Sequence, residues 1–339
     1  MDALQVQRLK DRLKNPLTLV LIPHRSPDGD AMGACLGLYH FLKKLGHRVQ
    51  VISPTDYPKF LKWMPGADRV WVYEQREAEA HRLLEQADLL FYVDFNTLHR
   101  TDTLREALRK SQAEVVLIDH HPDPDTFSYN YSDPKMSSSC EMVYHFIAKL
   151  GYRECIDAEI ATCLYTGIMT DTGSFRFSNT TPSTYRVAAE LVEHGADNAA
   201  IHQHTCDGYT PQRIALLGLA LQNLTLLPDY NTAYIALSSE DLLKHHYQRG
   251  DTEGFVNYGL AIRGVKLAVL FIEDRERAFI KISFRSRADF SAQVLARDYF
   301  NGGGHAHAAG GISRKSLPET LAYFKSVLKT HWKAHREVS

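Results

Sequence analysis

The run "VVLIDHHPD" (115–123) sets Asp119, His120 and His121 side by side at the end of an apolar strand pattern. One histidine at a strand end is usually structural, held by a backbone hydrogen bond. Three coordinating or titratable groups in a row suggest chemistry where the strand meets water. "PHRSPDGDAMG" places His24, Asp28 and Asp30 within seven residues, and Gly29 between the two aspartates allows a tight turn that lets both carboxylates face one point. Read alone, that segment is also a common strand-to-helix loop with Asp30 as a helix N-cap. Two more junctions tip the balance. "LLFYVDF" runs out at Asp94, and "CLYTGIMTDTGSFRF" puts Asp171 at an apparent helix end.

So many carboxylates in one crevice would repel one another and take up protons unless cations neutralised them. Carboxylates with two or three imidazoles and no thiolate favour Mn²⁺ or Mg²⁺ over structural zinc. Two ions about 3.5–4 Å apart could share a bridging carboxylate and a bridging hydroxide, stabilising the attacking and leaving oxygens of an in-line phosphoryl displacement. The residues thus point to metal-assisted hydrolysis of a phosphate ester. Further along, "FNGGGHAHAAGG" (300–311) offers Gly302, Gly303 and Gly304, whose backbone N–H groups could cradle a phosphate, and His305 as a side-chain donor. Arg285, in "SFRSR", adds a planar fork for phosphate or carboxylate. A glycine run alone is more often a tight loop, but beside an arginine and opposite a metal centre it makes a substrate clamp.

The elements that must position these groups follow from periodicity. "LTLVLIP" (17–23), "RVQVIS" (48–53), "ADLLFYVDF" (87–95) and "EVVLIDHH" (114–121) read as buried strands, and helical spacing fills the stretches between them. Such alternation predicts an α/β fold: an N-terminal parallel sheet flanked by helices, with its crevice at the carboxyl ends of the strands. From about 138 to 225 the pattern is helical, and strands return at 231–238, 264–274 and 277–286. The expected organisation is a metal-binding domain over 1–205, a helical connector over 206–230 and a smaller C-terminal α/β domain over 231–339.

With 39 Lys and Arg against 40 Asp and Glu in 339 residues, no global basic field exists to hold long duplex nucleic acid. The five cysteines lack a C-x-x-C spacing, which argues against a disulfide framework and a zinc ribbon and for a reducing compartment. The N-terminal "MDALQVQRLKDRLKNP" reads as a charged amphipathic helix without the core of a signal peptide, and the apolar runs are too short to span a bilayer. The expectation is a cytoplasmic protein without a membrane partner. A homodimer is the base-rate expectation for its assembly.

In this order, "HRSPDGDAMG", "VDFN", "IDHHPD" and "MTDTGSFRF" resemble the four motifs of the DHH phosphoesterases, the RecJ-like family, and "FRSR" with "GGGHAHAAGG" resembles the DHHA1 domain that accompanies them. The resemblance spans about 17–330 and is nearest to compact members of the NrnA type, which degrade very short RNA and remove the 3′-phosphate from 3′-phosphoadenosine 5′-phosphate (pAp). It implies that His24, Asp28 and Asp94 bind one Mn²⁺ and that Asp30, Asp94, His120 and Asp171 bind the other, with Asp94 as the bridge and Mg²⁺ as an alternative. It implies further that His121 faces the scissile phosphate as a donor or general acid, and that Asp119 orients the loop or a histidine. Arg285, Gly303, Gly304 and His305 would hold the distal phosphate or nucleotide, and Asn96 and Arg100 either touch substrate or serve as surface caps. The implied substrates are short single-stranded RNA, dinucleotides and pAp, with no stable duplex partner, since a cleft between metals and clamp limits substrate length.

Three rivals remain at this level. A cyclic or linear dinucleotide phosphodiesterase acting on c-di-AMP or pGpG would need the same residues throughout. A manganese pyrophosphatase or exopolyphosphatase shares the metal-binding lobe, and "ISRKS" (312–316) superficially resembles its Ser-Arg-Lys stretch. Here that stretch follows "AAGG" directly, where the DHHA1 pattern expects the next strand. The third is a nucleotide-binding protein that kept the fold and lost catalysis, although every expected ligand position carries a suitable side chain.

Overall fold

Apolar runs buried on both faces build the first sheet: β1 (Thr18–Pro23), β2 (Arg48–Ser53), β3 (Trp71–Val72), β4 (Leu89–Val93), β5 (Glu114–Asp119) and β6 (Tyr129–Ser132). The computed structural model describes residues 1–207, 209–248, 250–274, 278–287 and 290–336, with the side chains of His305 and of 331–336 outside that description. The strands lie in the order β3-β2-β1-β4-β5-β6 and every pairing is parallel. Alternate residues of β1 feed two cores. Leu19 and Leu21 join Phe41, Phe146 and Leu164 on one face, and Val20 and Ile22 join Leu83, Tyr92 and Leu108 on the other.

The first face is covered by α1 (Ala3–Arg12), α2 (Gly29–Lys44), α5 (Ser139–Lys149), α6 (Ala158–Asp171), α7 (Pro182–Glu193) and α8 (Asn198–His202), and the second by α3 (Glu77–Glu85) and α4 (Arg105–Lys110). From β1 the chain passes to β2 on one side, and it reaches β4 on the other. The strand order therefore reverses between β1 and β4, which opens a crevice beyond their carboxyl ends. The four strands expected from the sequence are present; β3 and β6 extend the sheet at either edge.

Met1–Gly208 forms one compact unit and Tyr209–Ser339 a second. The second is built on a mixed sheet in the order β11-β12-β10-β9-β8-β7, from β7 (Thr225–Leu227), β8 (Thr232–Leu237), β9 (Leu267–Asp274), β10 (Phe279–Ser286), β11 (Gly303–His305) and β12 (Ala308–Ser313). Among the described strands of this sheet, only the β8–β9 pairing is parallel. Its helices are α9 (Pro211–Gln222), α10 (Ser239–Lys244), α11 (Val256–Leu260), α12 (Ala292–Tyr299) and α13 (Leu317–Arg336). Leu267, Val269 and Phe271 pack with Phe324 on one face, while Ala268, Leu270 and Ile272 pack with Phe255 and Leu216 on the other. Within the segment expected to connect the domains, α9 thus sends Leu216 into the core of this second unit.

The glycine run takes a different conformation from the open nest expected of it. Gly303 and Gly304 form edge strand β11, paired with Gly310 and Ala309. Gly302 is packed so closely that a Cβ there would lie 1.9 Å from the Gly310 carbonyl oxygen. Ile312 and Ser313 complete β12, so "ISRKS" begins as sheet. A parallel sheet with flanking helices followed by a smaller α/β unit is the architecture expected from the strand and helix alternation. The five cysteines are free, and no helix among the described residues is long and apolar enough to cross a membrane.

Candidate metal centre

Each strand end at the crevice delivers a functional side chain. His24 follows β1 and is 7% exposed. Asp28 caps α2, its Oδ1 accepting the N–H groups of Asp30 and Ala31 at 3.1 Å each. The cap is therefore Asp28 rather than Asp30. Asp30, buried in the first turn, reaches across to the start of α5 and accepts the amides of Ser139 at 2.6 Å and Cys140 at 2.9 Å. A helix amino end is a favourable seat for a carboxylate, because its first N–H groups lack intrahelical partners. Asp94 follows β4 with φ at +64°, a left-handed conformation costly for a residue with a side chain and found preferentially at functional sites. Its amide donates to Ile118 O at 3.0 Å, and its Oδ1 accepts from Ser139 Oγ at 2.9 Å.

Two histidines are oriented alike. Nδ1 of His24 lies 2.8 Å from Arg25 O, and Nδ1 of His120 lies 3.3 Å from Met136 O. A carbonyl can only accept, so both Nδ1 atoms carry the proton and both Nε2 atoms face the carboxylates, the arrangement that prepares an imidazole to bind a cation. Nε2 of His24 is 3.3 Å from Asp94 Oδ2 and 4.0 Å from Asp28 Oδ1. Nε2 of His120 is 3.4 Å from Asp94 Oδ1 and 3.8 Å from both Asp30 Oδ2 and Asp171 Oδ2. Asp94 thus turns one oxygen to each imidazole. Three ligand sets converge with their atoms within 4.8 Å: His24, Asp28 and Asp94; Asp30, His120 and Asp171; and Asp94, His120 and His121.

His121 is held differently. Its Nδ1 lies 2.7 Å from Asp119 Oδ1, and its Nε2 lies 2.6 Å from Arg100 Nη1. Arginine can only donate, so Nε2 accepts and the Nδ1 proton goes to Asp119. Asn96 donates from Nδ2 to Pro122 O at 2.6 Å, tying down the loop after β5.

In the absence of a cation, protons gather in the cluster. Burial and the charge of Asp94 push Asp30 up to about 7, and burial lifts Asp171 well above the ordinary carboxylate range. Asp119 is likewise pushed up to about 7 by burial and by Asp94, and its Oδ2 is buried without a hydrogen-bond partner. Burial opposes charge on Asp94 too, but contact with His120 and His24 outweighs it and holds that carboxyl well down. The same contacts overcome burial to raise His120 strongly and His24 less so. Oxygen and imidazole donors that collect surplus protons fit a pair of hard divalent cations. Thiolate is not on offer, since burial pushes the Cys35 and Cys140 thiols far up.

Ser139 and Glu141, which no motif in the sequence singles out, hold the clustered carboxylates and the start of α5 in place. Glu141, 1% exposed, accepts from Ser137 Oγ at 2.5 Å and from Thr184 Oγ1 at 2.9 Å. Burial would raise its pKa, but His145 at 3.7 Å and these hydroxyls prevail and hold it at about 2. The start of α5 is thereby fastened to α7, and its amides are fixed on Asp30. The signal in the sequence, "SSSCE", resembles an ordinary helix cap. Close approach of α2 to α6 completes the arrangement: a Cβ on Gly33 would lie 2.5 Å from Cys163 O.

In the second unit, Arg285 donates from Nη1 to Phe284 O at 3.0 Å. It shares a cross-strand row with Ala308 and His305, whose side chain lies outside the described residues. Gly304 has φ at +139°, and a Cβ on Gly303 would meet open space.

The family description "DHH family, N-terminal domain" matches residues 18–168, and "DHHA1 domain" matches 230–330. Over 306 residues the chain is 32% identical to the bifunctional oligoribonuclease and PAP phosphatase NrnA of Thermus thermophilus, covering 90% of this chain and 86% of that one. It is 27% identical to the protein of the same name from Bacillus subtilis, covering 93% and 96%. A crystal structure of an exopolyphosphatase-related protein from Bacteroides fragilis superposes with a TM-score of 0.93 at 37% identity, covering 97% of each chain.

Proposed function

Because the chain belongs to the DHH family and carries a DHHA1 domain, we propose that it hydrolyses short oligoribonucleotides and the 3′-phosphate of pAp with the aid of two Mn²⁺ ions. It is a hydrolase of phosphate ester bonds. The observation that carries the two-cation reading is Asp94, whose Oδ1 lies 3.4 Å from His120 and whose Oδ2 lies 3.3 Å from His24. His24, Asp28 and Asp94 would hold one cation, and Asp30, Asp94, His120 and Asp171 the other. Bound there, a Mn²⁺ or Mg²⁺ pair supplies Lewis-acid stabilisation of the phosphoryl oxygens and lowers the pKa of water.

The chain's own groups supply orientation and protons. The hydrogen bond from His121 Nδ1 to Asp119 fixes the ring and stabilises it when Nε2 gains a proton. Nε2 and Arg100 then face the phosphate together, His121 as proton donor to the leaving alkoxide and Arg100 as an anion contact. Asn96 acts on this pair indirectly, through the loop it ties. Arg285, Gly303, Gly304 and His305 bind the distal phosphate or nucleotide. The names of the relatives in Thermus thermophilus and Bacillus subtilis support the choice of substrates.

Asp94→Ala is expected to abolish Mn²⁺-dependent hydrolysis while leaving the circular-dichroism spectrum intact; turnover at the native rate would remove the proposed bridge. A product-resolved panel of pAp, two- to five-nucleotide RNA, pGpG, cyclic di-AMP and pyrophosphate decides substrate class. Release of mononucleotides from short RNA and of phosphate from pAp is the expected result. Hydrolysis of pyrophosphate alone would select the pyrophosphatase reading instead.

A further inference from the structure

We propose that Phe177 is a stacking platform for the nucleobase next to the scissile phosphate, an inference that rests on the nucleotide substrate proposed above. Two residues after Asp171 begins a run of three consecutive residues with left-handed backbone: Gly173 at φ +56°, Ser174 at +58° and Phe175 at +63°. Only the first is a glycine, and such runs are unfavourable for residues with side chains. The strain is over-determined by the bonds around it. The amides of Arg176 and Phe177 both donate to Thr172 O at 3.0 Å, and Arg176 Nε donates to Gly173 O at 2.8 Å. Asn179 Nδ2 donates to Ser137 O at 2.9 Å and Asp171 O at 3.4 Å, which clamps the far end of the loop to the residues around the metal centre. A strained turn held this firmly beside reactive groups points to a positioning role.

What the turn presents is an aromatic ring. Phe175 turns inward and stacks on Tyr185 at 5.7 Å with planes 24° apart. Phe177 instead sets the far end of its ring against Gly173, where a Cβ would come within 2.4 Å of Cζ, and it remains 39% exposed. Its side chain has no polar atom and packs in neither core of its unit. Gly173, four residues before it and two after Asp171, leaves room for the far end of the ring. Every base has a π face, so a ring held here would bind nucleotides with little sequence preference, as a scavenger of mixed short RNA requires.

The test is equilibrium binding of AMP and of ribose 5-phosphate to the full chain in the presence of Mn²⁺, which needs no turnover. The native protein is expected to bind AMP roughly tenfold or more tightly than ribose 5-phosphate. Phe177→Ala and Phe177→Leu should lose that preference without weakening ribose 5-phosphate, and Phe177→Trp should keep it. Leucine preserves apolar bulk but has no π face, so native AMP affinity in Phe177→Leu would overturn the stacking role. Equal loss of both ligands in the alanine and leucine variants, or no preference in the native protein, would do the same. If the native chain hydrolyses no nucleotide in the panel, the proposed function fails while this binding comparison still decides the role of Phe177.

Discussion

Among single residues, Ser139 shows how a carboxylate is aimed. Asp94 must offer one oxygen to each half of the centre, and Ser139 Oγ holds the oxygen that faces His120. The Ser139 amide meanwhile holds Asp30. Removing the hydroxyl leaves the amide in place, so Ser139→Ala should keep Asp30 seated and free Asp94 to rotate. A lost neutral donor to a buried charge is worth about 1.5–3 kcal/mol, and outer-shell partners of metal ligands typically change metal affinity about 10–100-fold. We expect Mn²⁺ titration of metal-free Ser139→Ala, read by electron paramagnetic resonance, to show one class of site weakened by that factor and the melting temperature lowered by several degrees. Native affinity at both classes would show that the hydroxyl is dispensable. No pattern rule finds this residue, because its partners lie 109 and 45 positions away.

The elements were legible where burial on both faces imposes an unbroken apolar run, as in β1, β4 and β5. β3 and β6 were not, since one has two residues and the other, "YNYS", alternates buried tyrosines with polar residues. The crevice followed from alternation alone, and with it the convergence of His24, Asp94, Asp119, His120 and His121. The path of the glycine run did not follow, because pairing of β11 with β12 is a long-range choice between strand and loop that local composition leaves open. Also invisible was the glycine face of α2, where Gly29, Gly33 and Gly37 recur every fourth residue against α6. That face fixes the distance between Asp30, at the start of α2, and Asp171, at the end of α6. Gly33→Ala would place a methyl group 2.5 Å from a backbone oxygen that cannot swing aside, so the helices must separate. A stability loss of about 1–3 kcal/mol and weakened binding of one Mn²⁺ are expected. Gly218→Ala on α9 is the control: nothing lies within 4 Å of its Cβ, and alanine there should hold or raise stability by up to about 1 kcal/mol. If denaturant melts show the two variants alike, close helix approach does not set the site.

Taken as a whole, the molecule is nearly neutral, with 39 basic against 40 acidic residues, yet its first unit concentrates buried carboxylates at one crevice. The cost of that concentration depends on pH. Asp30 and Asp119 titrate near 7 in the fold but near 3.8 when unfolded, so between about pH 4 and 7 the folded metal-free chain holds more protons and loses stability as pH rises. His24 and His120, raised above their ordinary value of 6.5, act in the same direction, since their favourable charge disappears as pH climbs through their folded values. Asp94, held low, stabilises above about pH 4 and loses that effect only on further acidification. The metal-free first unit should therefore be less stable at pH 8 than at pH 5, and Mn²⁺ should reverse the order, because the cation binds the ionised carboxylates that repel one another without it. At 100 times its dissociation constant a ligand adds about 2.7 kcal/mol. Hydrogen exchange corrected for intrinsic rates can follow this strand by strand: β1, β4 and β5 should gain protection with Mn²⁺ at pH 8, while β8, β9 and β10, which carry none of these groups, should not. Protection of the metal-free first sheet that rises from pH 5 to 8, or an equal response in both sheets, would contradict a charge cluster seated in the first unit alone.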